Sequence, residues 1–255
     1  MGSRKCITLV AGILALSLVS ILAASCGSPT GPSSASSVVY ATAQEGSVLV
    51  AIDPTTGAAS VVGPLNASGA FALAARGDGV FFTVTDSGFV ANPDARLATV
   101  DPRTGGATVY GEPFGVYLRM MGLAFASDGT LYGSSPITQS LYRLDVNTGR
   151  PERVGPFGVN GVMDLAFDRG GTLYANTTGA IYRVDRVTGA ATLVTPVRGA
   201  QMLMGITFDA SGTLYATNFM SESELYRIDL ATGTASLVGR TGQSFVHSAE
   251  FDRRR

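Results

Sequence analysis

From residue 38 onward, apolar and polar positions alternate with a period of two, in short runs broken by Gly, Asp, Asn, Ser and Pro. Val38-Val39-Tyr40-Ala41, Thr130-Leu131-Tyr132, Thr172-Leu173-Tyr174 and Thr213-Leu214-Tyr215 are examples, rich in β-branched and aromatic residues. That period places alternate side chains on opposite faces of a pleated strand, and the runs are too short for helices. No useful stretch of helical periodicity follows residue 37. The pattern predicts an all-β domain.

The runs themselves repeat. A hairpin signature occurs five times, at Ile52-Asp53-Pro54-Thr55-Thr56-Gly57, Val100-Asp101-Pro102-Arg103-Thr104-Gly105, Leu144-Asp145-Val146-Asn147-Thr148-Gly149, Val184-Asp185-Arg186-Val187-Thr188-Gly189 and Ile228-Asp229-Leu230-Ala231-Thr232-Gly233. Its aspartates are 48, 44, 40 and 44 residues apart, close to the roughly 40–50 residues of a four-stranded propeller blade. A second signature lies between the copies: Gly122-Leu123-Ala124-Phe125, Asp164-Leu165-Ala166-Phe167 and Gly205-Ile206-Thr207-Phe208, with a weaker copy in Phe71–Phe82. The domain opens at Val38-Val39-Tyr40-Ala41, which matches a second strand, and the missing first strand occurs at the other end as Ser248-Ala249-Glu250-Phe251-Asp252. The expectation is a five-bladed β-propeller over residues 38–252, with four-stranded antiparallel blades and ring closure by the C-terminal strand. Closure removes the open sheet edges that invite aggregation.

The recurrent Tyr-Arg-x-Asp-x-x-Thr-Gly hairpin resembles the repeat propellers of the quinoprotein-like and YVTN-type groups, within the wider WD-repeat-like superfamily. The chain has no Trp and no Gly-His start, so it departs from WD repeats proper. The resemblance covers residues 38–252 and implies a fold, not an activity.

The N-terminus follows a different pattern. Arg4 and Lys5 precede a stretch from Ile7 to Ala24 that is apolar apart from Thr8, Ser17 and Ser20. That is the layout of a secretory signal, and it is also close to the length of a membrane span at about 20 residues. Leu22-Ala23-Ala24-Ser25-Cys26-Gly27 resembles the bacterial lipoprotein cleavage box, although Ala23 stands where that box prefers Leu. The resemblance implies a signal peptide over residues 1–25 and a diacylated, palmitate-bearing Cys26. Gly27 in place of Asp implies sorting to the outer membrane of the bacterial envelope. A retained anchor and plain secretion remain the alternatives. Residues 27–37 contain only Gly, Ser, Pro, Thr and Ala, so residues 26–37 are expected to act as a flexible linker.

Composition narrows the function classes. The net charge is −1, and the only basic cluster is the tail Arg253-Arg254-Arg255, so no nucleic-acid partner is expected. Both cysteines, Cys6 and Cys26, precede the domain, which rules out a disulfide framework or a cysteine nucleophile within it. No GxSxG, HExxH or P-loop pattern occurs. The five hairpin aspartates are read as turn formers, as are Asp78, Asp128, Asp168, Asp209 and Asp252 in the first-to-second strand turns.

The chemistry left over lies in the second-to-third and fourth-to-first strand loops, which vary in length and share one rim. The candidate ligand-binding residues there are Tyr117, Arg119, Asp164, Asn218, His247 and Glu250. Asp164 and Glu250 are acids on innermost strands, in blades four and one, which are not adjacent. His247, the only histidine, aligns with Phe71, Met121, Met163 and Met204. That alignment reads as a packing layer at the axis, or as a Met/His site of the kind that suits Cu(I). No cofactor, catalytic residue or metal ligand is assigned. The sequence favours a membrane-tethered, extracytoplasmic binding module for an envelope protein or small ligand. A metal-assisted hydrolase or lactonase at the channel mouth and an envelope-assembly scaffold are the alternatives.

Overall fold

The computed structural model describes residues 38–85, 93–115 and 118–251. Cys26 and the expected signal, linker and basic tail lie outside the described residues, as do Tyr117 and Asp252.

The period-two runs form twenty strands in five four-stranded antiparallel sheets, and no helix occurs among the described residues. Blade one contains β1 (Val39–Ala43), β2 (Val48–Ile52) and β3 (Ala59–Pro64). Blade two is β4 (Ala74–Ala75), β5 (Phe81–Val84), β6 (Leu97–Val100) and β7 (Ala107–Val109). Blade three is β8 (Gly122–Phe125), β9 (Leu131–Ser135), β10 (Ser140–Leu144) and β11 (Pro151–Pro156). Blade four is β12 (Asp164–Phe167), β13 (Leu173–Thr177), β14 (Ala180–Val184) and β15 (Ala191–Pro196). Blade five is β16 (Leu203–Phe208), β17 (Leu214–Asn218), β18 (Glu224–Ile228) and β19 (Ala235–Arg240). The last strand, β20 (Glu250–Phe251), pairs with β1 through Val39 with Phe251 and Tyr40 with Glu250. The C-terminal strand therefore completes blade one and closes a five-bladed propeller, as the sequence predicts. The strands of all five blades lie within residues 38–251, inside the compact unit Ser37–Arg255.

The hairpin signature has a local and a long-range role. In each copy the aspartate Oδ1 accepts the N–H two residues on: Thr55 at 2.7 Å, Arg103 at 2.9 Å, Asn147 at 2.8 Å, Val187 at 2.7 Å and Ala231 at 2.8 Å. The closing glycine, at φ between 73° and 81°, donates to the aspartate carbonyl. These carboxyls are held below the usual carboxylate range by those turn bonds. The Thr-Gly end also receives the neighbouring blade. A Cβ on Gly63 would lie 2.0 Å from the Thr104 carbonyl oxygen, one on Gly155 2.0 Å from that of Thr188, and one on Gly239 1.9 Å from that of Thr56. At these three boundaries the outer strand seats a bare backbone against the next blade's hairpin, whereas blade four carries Thr195 at that position.

A second stitch joins the blades further in. Rings pair across each boundary: Phe82 with Phe125 at 5.1 Å, Tyr132 with Phe167 at 5.8 Å, Tyr174 with Phe208 at 5.1 Å and Tyr215 with Phe251 at 5.4 Å. Tyr40 meets Phe81 at 5.0 Å, because blade two carries Ala75 where the other blades place the partner ring. Each such pair contributes about 0.5–1.5 kcal/mol beyond its burial. Two strand arginines cover rings: Arg143 lies over Tyr132, and Arg227 lies over Tyr215 and bonds the Pro54 carbonyl of blade one.

Candidate functional site

The five innermost strands and the residues just ahead of them align as layers around the axis. The first layer is Phe71, Met121, Met163, Met204 and His247; the second is Ala72, Gly122, Asp164, Gly205 and Ser248; the fourth ends with Glu250. In the second layer the strands are very close. A Cβ on Gly122 would lie 2.5 Å from the Asp164 Cα, and one on Gly205 2.3 Å from the Ser248 carbonyl carbon. The room left by these glycines admits one larger side chain, Asp164.

Asp164 is fully buried, and its Oδ2 accepts the Ile206 N–H of blade five at 3.0 Å. Oδ1 accepts the Leu165 N–H at 2.9 Å, and the Ala249 N–H of blade one also donates to the carboxyl. Burial pushes the Asp164 carboxyl well above its ordinary value, against the lowering by those N–H groups, and the nearby Glu250 carboxylate raises it further. Blades four and one are not neighbours around the ring, yet their two acids interact across the axis. Asp164 thus ties three blades together. Beside it, Ser248 Oγ accepts the Thr42 N–H at 3.1 Å, Thr42 Oγ1 donates to the Phe71 carbonyl, and the His247 N–H donates to the Thr42 carbonyl at 2.9 Å.

The first layer forms the mouth. Phe71, Met121 and Met204 form one buried cluster, with Met163 and Phe219 packed against it. The His247 ring lies 4.1 Å from Phe71 and 4.7 Å from Phe219, and the Arg119 guanidinium is 5.1 Å over the Phe71 ring. His247 is 2% exposed, and neither ring nitrogen has a hydrogen-bond partner among the described residues. Burial, with a smaller push from the Arg119 charge, lowers its pKa to about 3.

Outside the mouth, two clefts lie side by side on the variable-loop rim. The larger, about 670 Å³, is bounded by Gly199–Gln201, by Asn218 and the Met220–Glu222 turn, and by Glu224, Tyr226 and Arg240. The smaller, about 360 Å³, lies between Gln44 and the Gly242–Ser244 turn and shares Ser221, Glu222 and Arg240 with the first. Arg240 pairs with Glu222 at 2.8 Å and approaches Glu224 at 3.9 Å. Tyr226 donates a short hydrogen bond to Glu224. Burial, and then Glu224, push the tyrosine pKa to about 12.

The sequence candidates therefore divide among three environments. Asp164 and Glu250 lie deep on the axis. Arg119 and His247 are at its mouth. Asn218 stands on the cleft wall, its Oδ1 accepting the Glu224 N–H at 2.7 Å. Among the described residues, no group of three or more His, Cys, Asp or Glu is placed to hold a metal ion. The sequence pattern points to neither Tyr226, which recurs with the strand tyrosines, nor Arg240 as a site residue. The one available signal was Arg240, the single arginine to follow the fourth-strand Val-Gly motif.

No family model matches the chain, and no curated protein matches it. Solved structures do. A protein of unknown function from Bacteroides thetaiotaomicron is 13% identical over 81% of this chain and 62% of its own, with a TM-score of 0.58. A chain of a nidogen/laminin complex is 12% identical over 86% of this chain and 99% of its own, with a TM-score of 0.56. A hydrazine synthase chain from Kuenenia stuttgartiensis is 19% identical over 67% of this chain and 48% of its own, with a TM-score of 0.47. This chain spans about half the length of the Kuenenia chain and about three fifths of the Bacteroides one. At these identities the likeness is one of fold.

Proposed function

We propose that the protein is an extracytoplasmic binding module, tethered to the bacterial outer membrane through acylated Cys26, which holds an envelope protein segment or small ligand in the rim clefts of blades five and one. The observation that carries this reading is the pair of adjoining clefts on the variable-loop rim, sharing Ser221, Glu222 and Arg240. Loops on a rigid scaffold are the usual place for recognition, because they vary without disturbing the core. The repeated acids supply no competing site, since each described one bonds its own turn.

The point of chain entry fits this reading. Val39 pairs with Ile52 and Phe251, whereas Ala43 at the other end of β1 pairs with Val48 beside the Gln44 turn. β1 therefore begins at the hairpin face of blade one and ends at the rim that carries the Gln44 turn.

Two measurements test the proposal. Incorporation of labelled palmitate should be lost in Cys26→Ser; labelling that persists would refute the anchor. A photo-crosslinking residue at Ser221 should capture a partner or a labelled ligand in intact envelopes, and one at Val187, on the hairpin face, should not. Equal capture from both positions, or none from either, would refute the rim site.

A further inference from the structure

We propose that the mouth of the axis is a binding site for a soft monovalent metal ion, Cu(I) or its redox-inert stand-in Ag(I), held by a ring nitrogen of His247 and thioethers of Met121, Met163 and Met204. The site is separate from the rim clefts and does not depend on their function.

Two independent observations support it. The first is placement. The four residues come from four different blades at one repeat position, so ring closure brings three thioethers and an imidazole into one layer at the axis; Met121 and Met204 share a buried cluster with Phe71, Met163 packs on it, and the His247 ring lies against Phe71. The second is the state of His247. It is 98% buried by its 2% exposure, yet both ring nitrogens lack a partner among the described residues. A buried polar atom left unpaired costs about 1–3 kcal/mol, and a cage of Phe and Met offers a water few acceptors. A metal ion satisfies the imidazole without needing a further donor.

The ligand chemistry selects the ion. Thioether sulfur is soft and suits Cu(I), and neutral imidazole suits copper as well. The aromatic faces of Phe71 and Phe219 flank His247 and favour a neighbouring cation. All the proposed ligands are neutral, and the Arg119 guanidinium lies close by over Phe71. Both features weigh against a divalent ion such as Zn²⁺, which prefers charged or nitrogen ligands.

The test uses residues 37–255, which contain no cysteine, one histidine and six of the chain's seven methionines, all but Met1. Ag(I) is titrated into this domain labelled with 13C at the methionine methyls. One equivalent should shift Met121, Met163 and Met204 and raise the Tm, leaving the exposed Met202 and Met220 unmoved. Met121→Leu with Met204→Leu, which conserves volume, should weaken binding at least about tenfold. His247→Phe should do the same, and Zn²⁺ should produce no matching shifts. The proposal is overturned if Ag(I) moves only Met202 and Met220, if binding survives the double leucine variant, or if Zn²⁺ gives the same response. Should a variant fail to fold, the methyl shifts of the unaltered domain still decide the matter.

Discussion

Asp145 and Asp164 are nineteen positions apart in one chain and have opposite electrostatic fates. Asp145 opens an exposed hairpin, accepts the Asn147 N–H and has its pKa lowered. Asp164 is fully buried, accepts N–H groups from three blades and has its pKa raised. Both carboxyls receive backbone donors, so hydrogen bonding alone does not set the direction. Water stabilises the charge at the turn, and its removal at the axis outweighs the donors. An acid that recurs in every repeat is turn chemistry. One that breaks the repeat, where the other blades carry Ala, Gly or Ser, marks the place where the ring had room for something else.

The largest test of that contrast is steric. Gly205→Ala would place a methyl 2.3 Å from the Ser248 carbonyl carbon and 2.6 Å from the Ala249 nitrogen. Both atoms belong to the Ser248–Ala249 peptide, which cannot yield as a side chain can, so a stability loss of about 3 kcal/mol or more is expected in chemical denaturation. A loss under about 1 kcal/mol would mean the axis is looser than described.

Next in size is Asp164→Ala. It leaves the Leu165, Ile206 and Ala249 N–H groups without their acceptor and should cost about 2–4 kcal/mol near pH 4. The raised pKa sets the sign of the pH dependence. Between the unfolded value of 3.8 and the folded value, the native state binds more protons, so stability falls as pH rises through that window. Asp164→Asn, which does not titrate, should lose that slope, and its deficit against the parent should shrink as pH increases. An unchanged slope would remove Asp164 as its source.

Glu250→Gln is expected to have a smaller effect. It removes the charge that adds to the rise at Asp164, so the falling window should end at lower pH. The same denaturation series, repeated at half-unit pH steps, would detect the shift; a window that stays in place would mean the two carboxyls do not interact.

The smallest effect belongs to the turn. Asp145→Ala should lower Tm less than any change above, with Asp145→Asn milder still because Asn keeps the turn acceptor. The sign reverses here: the folded pKa is depressed, so the contribution of Asp145 is present above about 3.8 and lost as pH falls below it. An Asp145→Ala loss that persists undiminished at pH 2 would show that the carboxylate charge has no part in it.

The fold was legible because a propeller repeats its local rules. Each hairpin carries its own Asp, its own positive-φ Gly and its own strand alternation, and the missing first strand at one end matched the spare one at the other. The Thr-Gly pair was read as turn chemistry alone. Its use as a seat for the neighbouring blade's glycine depends on contacts between residues remote along the chain, Gly63 with Thr104 and Gly239 with Thr56 among them, which no local pattern encodes. Asp164 and Glu250 were recognised as unusual acids, and their separation around the ring was correct. Their interaction was hidden because a ring brings non-neighbouring blades together at its centre.

By itself, the sequence determined the all-β class, the five blades, the closing strand and the face on which the loops vary, because these follow from periodicity and turn residues that act over a few positions. Only the tertiary structure decided which other side chains share a space: Phe219 and Arg119 with the His247 layer, Tyr226 with Glu224 and Arg240 in a cleft, Asp164 with three backbones. Those groupings depend on ring closure and blade packing, which set distances between residues that are remote along the chain.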